Sequence, residues 1–181
     1  SASLVGSEMC IRDRVYLGIQ KGQVTQDGLT GLNNRRRLDQ YMWELDERSG
    51  ERETCCYLLM DVNKFKKVND TYGHVTGDEV LRLVAEQLKR TFGNMQAFLA
   101  RYGGDEFVVI VKGKTQDEMD VIIHQTQENV NAIAWGADTP WQLSISIGCA
   151  MRGEQGKQKS HELLALADER MYRQKKGIQD R

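Results

Sequence analysis

FLARYGGDEFVVIVK, residues 98–112, reads as two strands folded back on each other at a Gly-Gly turn, Gly103–Gly104. A hairpin turn needs positive φ, and glycine supplies it at little steric cost. Two acids, Asp105 and Glu106, sit at the tip of the bend. Upstream, CCYLLMD at 55–61 is a short apolar run rich in strand formers, and it closes on Asp61. It reads as a buried strand. Were that strand and the hairpin neighbours in one sheet, three carboxylates would converge at one edge.

Working outward, Asn33 or Asn34 can cap a helix running to about Glu47, with Leu38, Tyr41, Met42 and Leu45 on one face. A short turn or helix follows Asp61 over 65–70. GDEVLRLVAEQLKRTF at 77–92 carries Val80, Leu81, Val84 and Leu88 at helical spacing, with Asp78 and Glu79 in a first turn where acids suit the helix dipole. Residues 115–134 read as a helix, 141–151 (WQLSISIGCAM) as a strand alternating polar and apolar, and 161–177 as an amphipathic helix ended by Gly177. This order predicts an α/β (α+β) sandwich, with a central, mostly antiparallel sheet flanked by helices. Residues 1–14 show no clean periodicity and read as a non-native or linker segment. Residues 15–26 read as an incoming linker helix, a handle for an upstream sensor, and 27–181 as the domain proper.

The chain has 181 residues, enough for one domain with a real core and too few for two ordinary ones. Its 25 Lys+Arg nearly balance its 26 Asp+Glu, so no global basic field attracts nucleic acid, and a polyphosphate must be held by a local site. Cys10, Cys55, Cys56 and Cys149 form no C-x-x-C pair. They read as core or half-buried thiols of a reducing, cytoplasmic compartment, with Cys55 and Cys56 on opposite strand faces. No apolar run reaches the roughly 18 residues that would span a bilayer. No His/Cys cluster has zinc-ligand spacing.

Carboxylates crowded at one sheet edge repel and raise each other's pKa unless a cation binds. Such hard oxygen donors suit Mg²⁺ or Mn²⁺. Two such ions about 3.5–4 Å apart can clamp the attacking and leaving oxygens of a phosphoryl transfer. After Asp61 the chain turns through VNKFKK, where backbone N–H groups can hold phosphate oxygens. Lys66 and Lys175 add positive charge, and Gly103 and Gly104 let a ligand lie against the backbone. Asn69 and Asp78 can read a guanine edge, since a carboxylate accepts from N1–H and N2–H₂, which adenine does not offer. Each feature alone has a plainer reading: a solvated strand end, an ordinary turn, a surface His74, a dipole-partnering Lys175.

RYGGDEF at 101–107 resembles the signature of the GGDEF family of diguanylate cyclases. Four further segments match in the family's order: DGLTGLNNRR (27–36), DVNKFKKVNDTYGHVTGDEVL (61–81), SISIGCA (144–150) and ADERMYRQKK (167–176). The resemblance covers about residue 24 to the C-terminus. It implies a palm-like nucleotide-cyclase fold and the condensation of two GTP into cyclic di-GMP with release of pyrophosphate. It implies two Mg²⁺ or Mn²⁺ ions held by Asp61, Asp105, Glu106 and the Val62 carbonyl, with Asp105 activating the ribose 3′-hydroxyl and Glu106 supporting the second metal. Asn69 and Asp78 would bind guanine in a pocket lined by Leu32 and Leu81. His74 would lie in the substrate loop, Phe65 and a catalytic Lys66 at the phosphates, and Lys175 at the terminal one. Arg101 and Gly104 of the signature are counted with the substrate contacts. Each subunit would hold one GTP, so turnover would require a homodimer.

Three positions depart from the family pattern. Many members carry an R-x-x-D inhibitory site before the signature strand, where this chain has Asn94, Met95, Gln96 and Ala97; no feedback inhibition at that site is expected. Asn63 stands where the family often has a second Asp, and strand alternation is expected to point it away from Asp61. The closing helix reads KKGIQDR where the family usually has a Gly-Arg-Asn turn, with Gln179 near the Arg position, so either phosphate binding is weaker or Arg181 substitutes. The alternative to an active cyclase is a catalytically silent GTP-binding module.

Overall fold

A computed structural model describes residues 24–48, 54–135, 142–152 and 158–179. Its elements are α1 (Arg35–Glu47), β1 (Cys55–Val62), α2 (Phe65–Tyr72), α3 (His74–Phe92), β2 (Ala97–Gly103), β3 (Glu106–Lys112), α4 (Gln116–Asn131), β4 (Ile145–Met151) and α5 (Ser160–Gln179). The four strands form one antiparallel sheet in the order β2-β3-β1-β4. The fold is α+β, as expected.

Strand alternation sorts the core into two layers. Cys56, Leu58, Met60 and Val62 of β1, with Phe107 and Val109 of β3, face Val80, Leu81, Val84 and Leu88 of α3. Cys55, Tyr57 and Leu59, with Val108 and Ile110, face Leu38 and Leu45 of α1 and Leu163, Ala167 and Met171 of α5. Cys55 and Cys56 thus lie in opposite layers, and both are buried.

Helix starts follow local chemistry. The Asn34 side chain accepts from the Arg37 N–H at 3.0 Å and caps α1. Thr115 and Glu118 form a reciprocal capping box on α4. α3 begins at His74, three residues before the expected start, because Gly73 (φ 85) turns the chain and its carbonyl accepts the Gly77 N–H at 3.2 Å. Asp78 therefore lies beyond the first turn, and the dipole role expected for it and Glu79 does not hold.

Three boundaries differ from expectation. β4 begins at Ile145 rather than 141, and it is buried on both faces instead of alternating. The reason is α5, which lies so close that a methyl on Gly148 would overlap the Ala167 carbonyl and the Met171 N–H. α5 runs to Gln179 with Gly177 inside it; one helical glycine costs only about 1 kcal/mol, too little to end a packed helix. Residues 24–26 are not helical: Gln26 forms an isolated bridge with Asn33. The rest of the expected incoming helix, residues 1–14, Cys10 and Arg181 lie outside the described residues.

β4 is an edge strand, and α5 covers its open hydrogen-bonding side. Gln174 accepts from the Ile147 N–H at 2.6 Å, and Arg170 donates to the Cys149 carbonyl at 2.6 Å. At its start α5 is tied down by a buried cluster: Asp46 accepts from Arg152 (2.6 Å), from the Ser160 N–H (3.0 Å) and from its hydroxyl (2.7 Å). Among the described residues no helix is long and apolar enough to cross a membrane.

Candidate active site

In the β1–β3 register Asp61 stands directly opposite Glu106. Both belong to the sheet face covered by α1 and α5, since they share parity with Leu59 and Val108. Asp105 occupies the turn just before, and its carbonyl accepts the Val62 N–H at 3.2 Å. The strand end and the bend therefore meet at one edge. Asp61 is 6% exposed, and Lys175 from α5 donates to its Oδ1 at 2.7 Å.

The electrostatics are those of an acid-rich edge with the Lys175 ammonium beside it. Burial first, and the Asp61 charge second, push the Asp105 carboxyl above its ordinary value; Lys175 and Arg101 oppose this. Glu106 is pushed up by burial, then by Asp61, Asp105 and Asp168, and again Lys175 opposes. Glu106 and Asp168 also line a cavity of about 360 Å³ between α1 and α5, with Leu59 and Tyr102. The donor set, carboxylates and strand-end backbone, fits a hard divalent cation, which would relieve this repulsion. As they stand, no three His, Cys, Asp or Glu side chains among the described residues are gathered closely enough to hold a metal ion. Asp61 is engaged by the Lys175 ammonium instead.

The turn that presents Asp105 is held from outside. Gly103 is the last residue of β2, and Gly104 alone has positive φ (44°). A register shift between Arg101 and Gly103 bulges the strand there. Arg101 donates to the Gly104 carbonyl through Nε (3.0 Å) and Nη2 (2.7 Å), and to both Asp27 oxygens through Nη1 at 3.3 Å. Asp27 also accepts from the Thr30 N–H (2.9 Å) and hydroxyl (2.7 Å). Arg101, expected among the substrate contacts, thus engages its guanidinium within the protein and braces the signature turn.

The loop after β1 carries the remaining expected positions. Lys64 adopts the left-handed region (φ 58) and turns the chain into α2. Phe65 is half-buried and Lys66 exposed at the start of that helix. The Asn69 side chain lies on Gly77, where a methyl would collide with its Oδ1, and Asp78 follows on the exposed side of α3. His74, the first residue of α3, is exposed. Leu32 (4% exposed) and Leu81 (1%) belong to the same buried cluster. Lys89 of α3 donates to the Thr30 carbonyl at 3.0 Å, so α3 and the Asp27–Leu32 turn are joined.

Asn63 is held by β4. Its amide donates to the Ser144 hydroxyl at 3.0 Å and accepts from the Ser146 hydroxyl at 2.7 Å. Residues two apart share a strand face, so alternation does not separate Asn63 from Asp61; these hydrogen bonds do. An amide fits here because it donates and accepts at once, which an ionised carboxylate does not.

Sequence reading missed Asp168 and the bracing role of Asp27. Asp168 lies seven residues, about two helical turns, before Lys175, so spacing along α5 could have paired them on one face. Nothing local links Asp27 to Arg101, which is 74 residues away.

Known proteins resemble this chain in sequence and in fold. The family described as "Diguanylate cyclase, GGDEF domain" matches residues 24–181. The chain is 38% identical over 156 residues to the probable diguanylate cyclase DgcI of Escherichia coli, covering 83% of this chain and 31% of that protein. It is 34% identical over 161 residues to the diguanylate cyclase DosC of Escherichia coli, covering 85% and 34% respectively. It spans about a third of the length of these relatives. Among solved structures, the GGDEF domain of DgcB from Caulobacter crescentus, in complex with c-di-GMP, superposes with a TM-score of 0.79 at 30% identity over 87% of this chain and 93% of that one.

Proposed function

The chain belongs to the diguanylate cyclase GGDEF domain family, and on that footing we propose that it condenses two GTP molecules into cyclic di-GMP, releasing pyrophosphate. The register that sets Asp61 against Glu106, with Asp105 in the adjoining turn, is the observation that supports this reading best. Asp61, Asp105, Glu106 and the Val62 carbonyl would hold Mg²⁺ or Mn²⁺, two per site. Bound there, the metal supplies charge stabilisation to the transferring phosphoryl group.

The protein's own groups do the rest. Asp105 accepts the ribose 3′-hydroxyl proton, and that oxygen attacks the α-phosphate of the other GTP as pyrophosphate leaves. Asn69 and Asp78 hold the guanine edge beside Leu32 and Leu81. Phe65 and Lys66, at the start of α2, meet the phosphates, with His74 in the adjacent loop and Gly104 leaving the turn open to substrate. Arg101 acts as a positioning residue through Gly104. Each subunit holds one GTP, so two must face each other, and a homodimer is the working form. An upstream regulatory segment would set how often they meet. The domain acts on nucleotides in the cytoplasm, with no nucleic acid or membrane as partner.

Incubation of the purified protein with GTP and Mg²⁺, followed by product chromatography, tests the reading. Cyclic di-GMP and pyrophosphate are expected, with a rate rising faster than linearly with protein concentration. Asp105→Ala should abolish turnover, and retained activity would refute the site. Tight GTP binding without product would instead mark a silent module.

A further inference from the structure

Among the described residues, the ammonium that contacts Asp61 comes from a helix fixed immediately beside it. Gln174 binds the Ile147 N–H and Arg170 the Cys149 carbonyl, both at 2.6 Å, and Met171 is buried at 4% exposure. These contacts pin the α5 backbone beside Lys175 to the sheet. The Lys175 side chain can still move, because it is 28% exposed on a four-carbon stem, whereas Asp61 is only 9% exposed at its side chain. Without this ammonium, a buried carboxylate would face Glu106 and Asp105 with no cation on it, an arrangement whose desolvation is costly.

We propose that Lys175 is the resident counter-ion of Asp61, and that the divalent metal and Lys175 exchange places there: the metal takes the carboxylate and the ammonium swings outward to the incoming phosphates. This deepens the reading of the site given above. Lys175 sits on Oδ1 of a carboxylate that is only 9% exposed, and an ammonium and a divalent ion crowded onto one buried carboxylate repel strongly where water is scarce. A single side chain then serves two states. In the nucleotide-free protein it offsets the Asp61 charge and competes with the metal. In the loaded protein it is free to neutralise phosphate. Metal and triphosphate would consequently bind cooperatively, each relieving the contact that the other must break.

The test is Mn²⁺ alone, titrated into nucleotide-free protein by calorimetry and followed by the loss of the free-ion paramagnetic resonance signal. Lys175→Met should tighten Mn²⁺ binding about tenfold or more, the size expected when a charge-assisted hydrogen bond no longer competes. Lys175→Gln gives a second, more soluble version of the same change, and circular dichroism checks that each is folded. Lys176→Met removes the same charge one residue on, from an ammonium that lies over the Tyr172 ring (4.8 Å) rather than on Asp61. It should change affinity by less than about twofold, as expected for a screened surface charge. Asp61→Asn should abolish the binding. Unchanged, weaker or absent Mn²⁺ binding in both Lys175 variants would overturn the exchange, as would equal tightening by Lys176→Met. No GTP is present, so failure here is distinct from failure to make cyclic di-GMP.

Discussion

The Gly148 α-carbon lies directly under the Ala167 carbonyl, and there is no room between them for a methyl group. That contact seats α5 on β4 and so carries Lys175 to Asp61. Gly148→Ala would press a methyl into backbone on both Ala167 and Met171, neither of which can rotate aside. A loss of roughly 1–3 kcal/mol is expected, as for overpacked cores, or about 2–4 °C in Tm for each kcal/mol. Thermal and urea unfolding measure it. A variant as stable as the parent would show that α5 is not seated this way.

Gly77 offers the opposite case. A methyl there meets the Asn69 amide and crowds the edge of the Phe65 ring, side-chain atoms in both cases rather than backbone. Gly77→Ala should therefore leave Tm nearly unchanged while displacing Asn69 from the place proposed to hold guanine. KM for GTP should rise about tenfold, the size of one lost hydrogen bond to a polar edge. Asn69→Ala should do the same, and the double variant should add little, because both remove one contact. Additive losses in a steady-state series would contradict the shared cause.

The Asp27 brace predicts a pH dependence. Burial alone would push its carboxyl up, but the Thr30 hydroxyl and amide and the Arg101 guanidinium outweigh it and hold the carboxyl below its ordinary 3.8. A carboxyl lowered on folding stabilises above its unfolded pKa, and that contribution is lost as pH falls through the folded value. Asp27→Ala should cost about 1–2 kcal/mol at neutral pH, and the gap from the parent should close in acid below 3.8. Urea midpoints across that range measure it. A gap constant with pH would mean that the Asp27 charge contributes nothing.

Product should not inhibit through the turn before β2. Asn94 and Gln96 are exposed there, while Met95 and Ala97 pack against the core, and none of the four carries a charge to pair with a phosphate or a guanine edge. Cyclic di-GMP added at the start of the reaction is expected to leave the initial rate of GTP turnover unchanged. A dose-dependent fall at low substrate and saturating substrate alike would reveal an inhibitory site that these residues do not supply.

Much of this was readable where signals are local. Asn34 and Thr115 cap helices through residues three positions on, and the 55–61 run and the 98–112 hairpin announce themselves by composition and glycine. The errors fell where neighbours decide. Gly177 reads as a helix end, yet packing carries the helix through it, and 141–144 read as part of a strand that begins only at Ile145. Alternation does not set the direction of Asn63; Ser144 and Ser146, more than 80 residues away, hold it.

By itself the amino-acid order determined the elements, the acids at the strand end and bend, and the family, because each of these is written in contiguous residues with their own turn, cap and periodicity chemistry. Only the tertiary structure decided that Lys175 rests on Asp61, that Arg101 braces Gly104 through Asp27, and that Asp168 joins the acid edge. These pairings span 114 residues in the first case and 74 in the second, and they follow from how α5 and the Asp27 turn dock on the sheet. Charge finds its partner through space, and across separations as long as these the sequence carries no record of it.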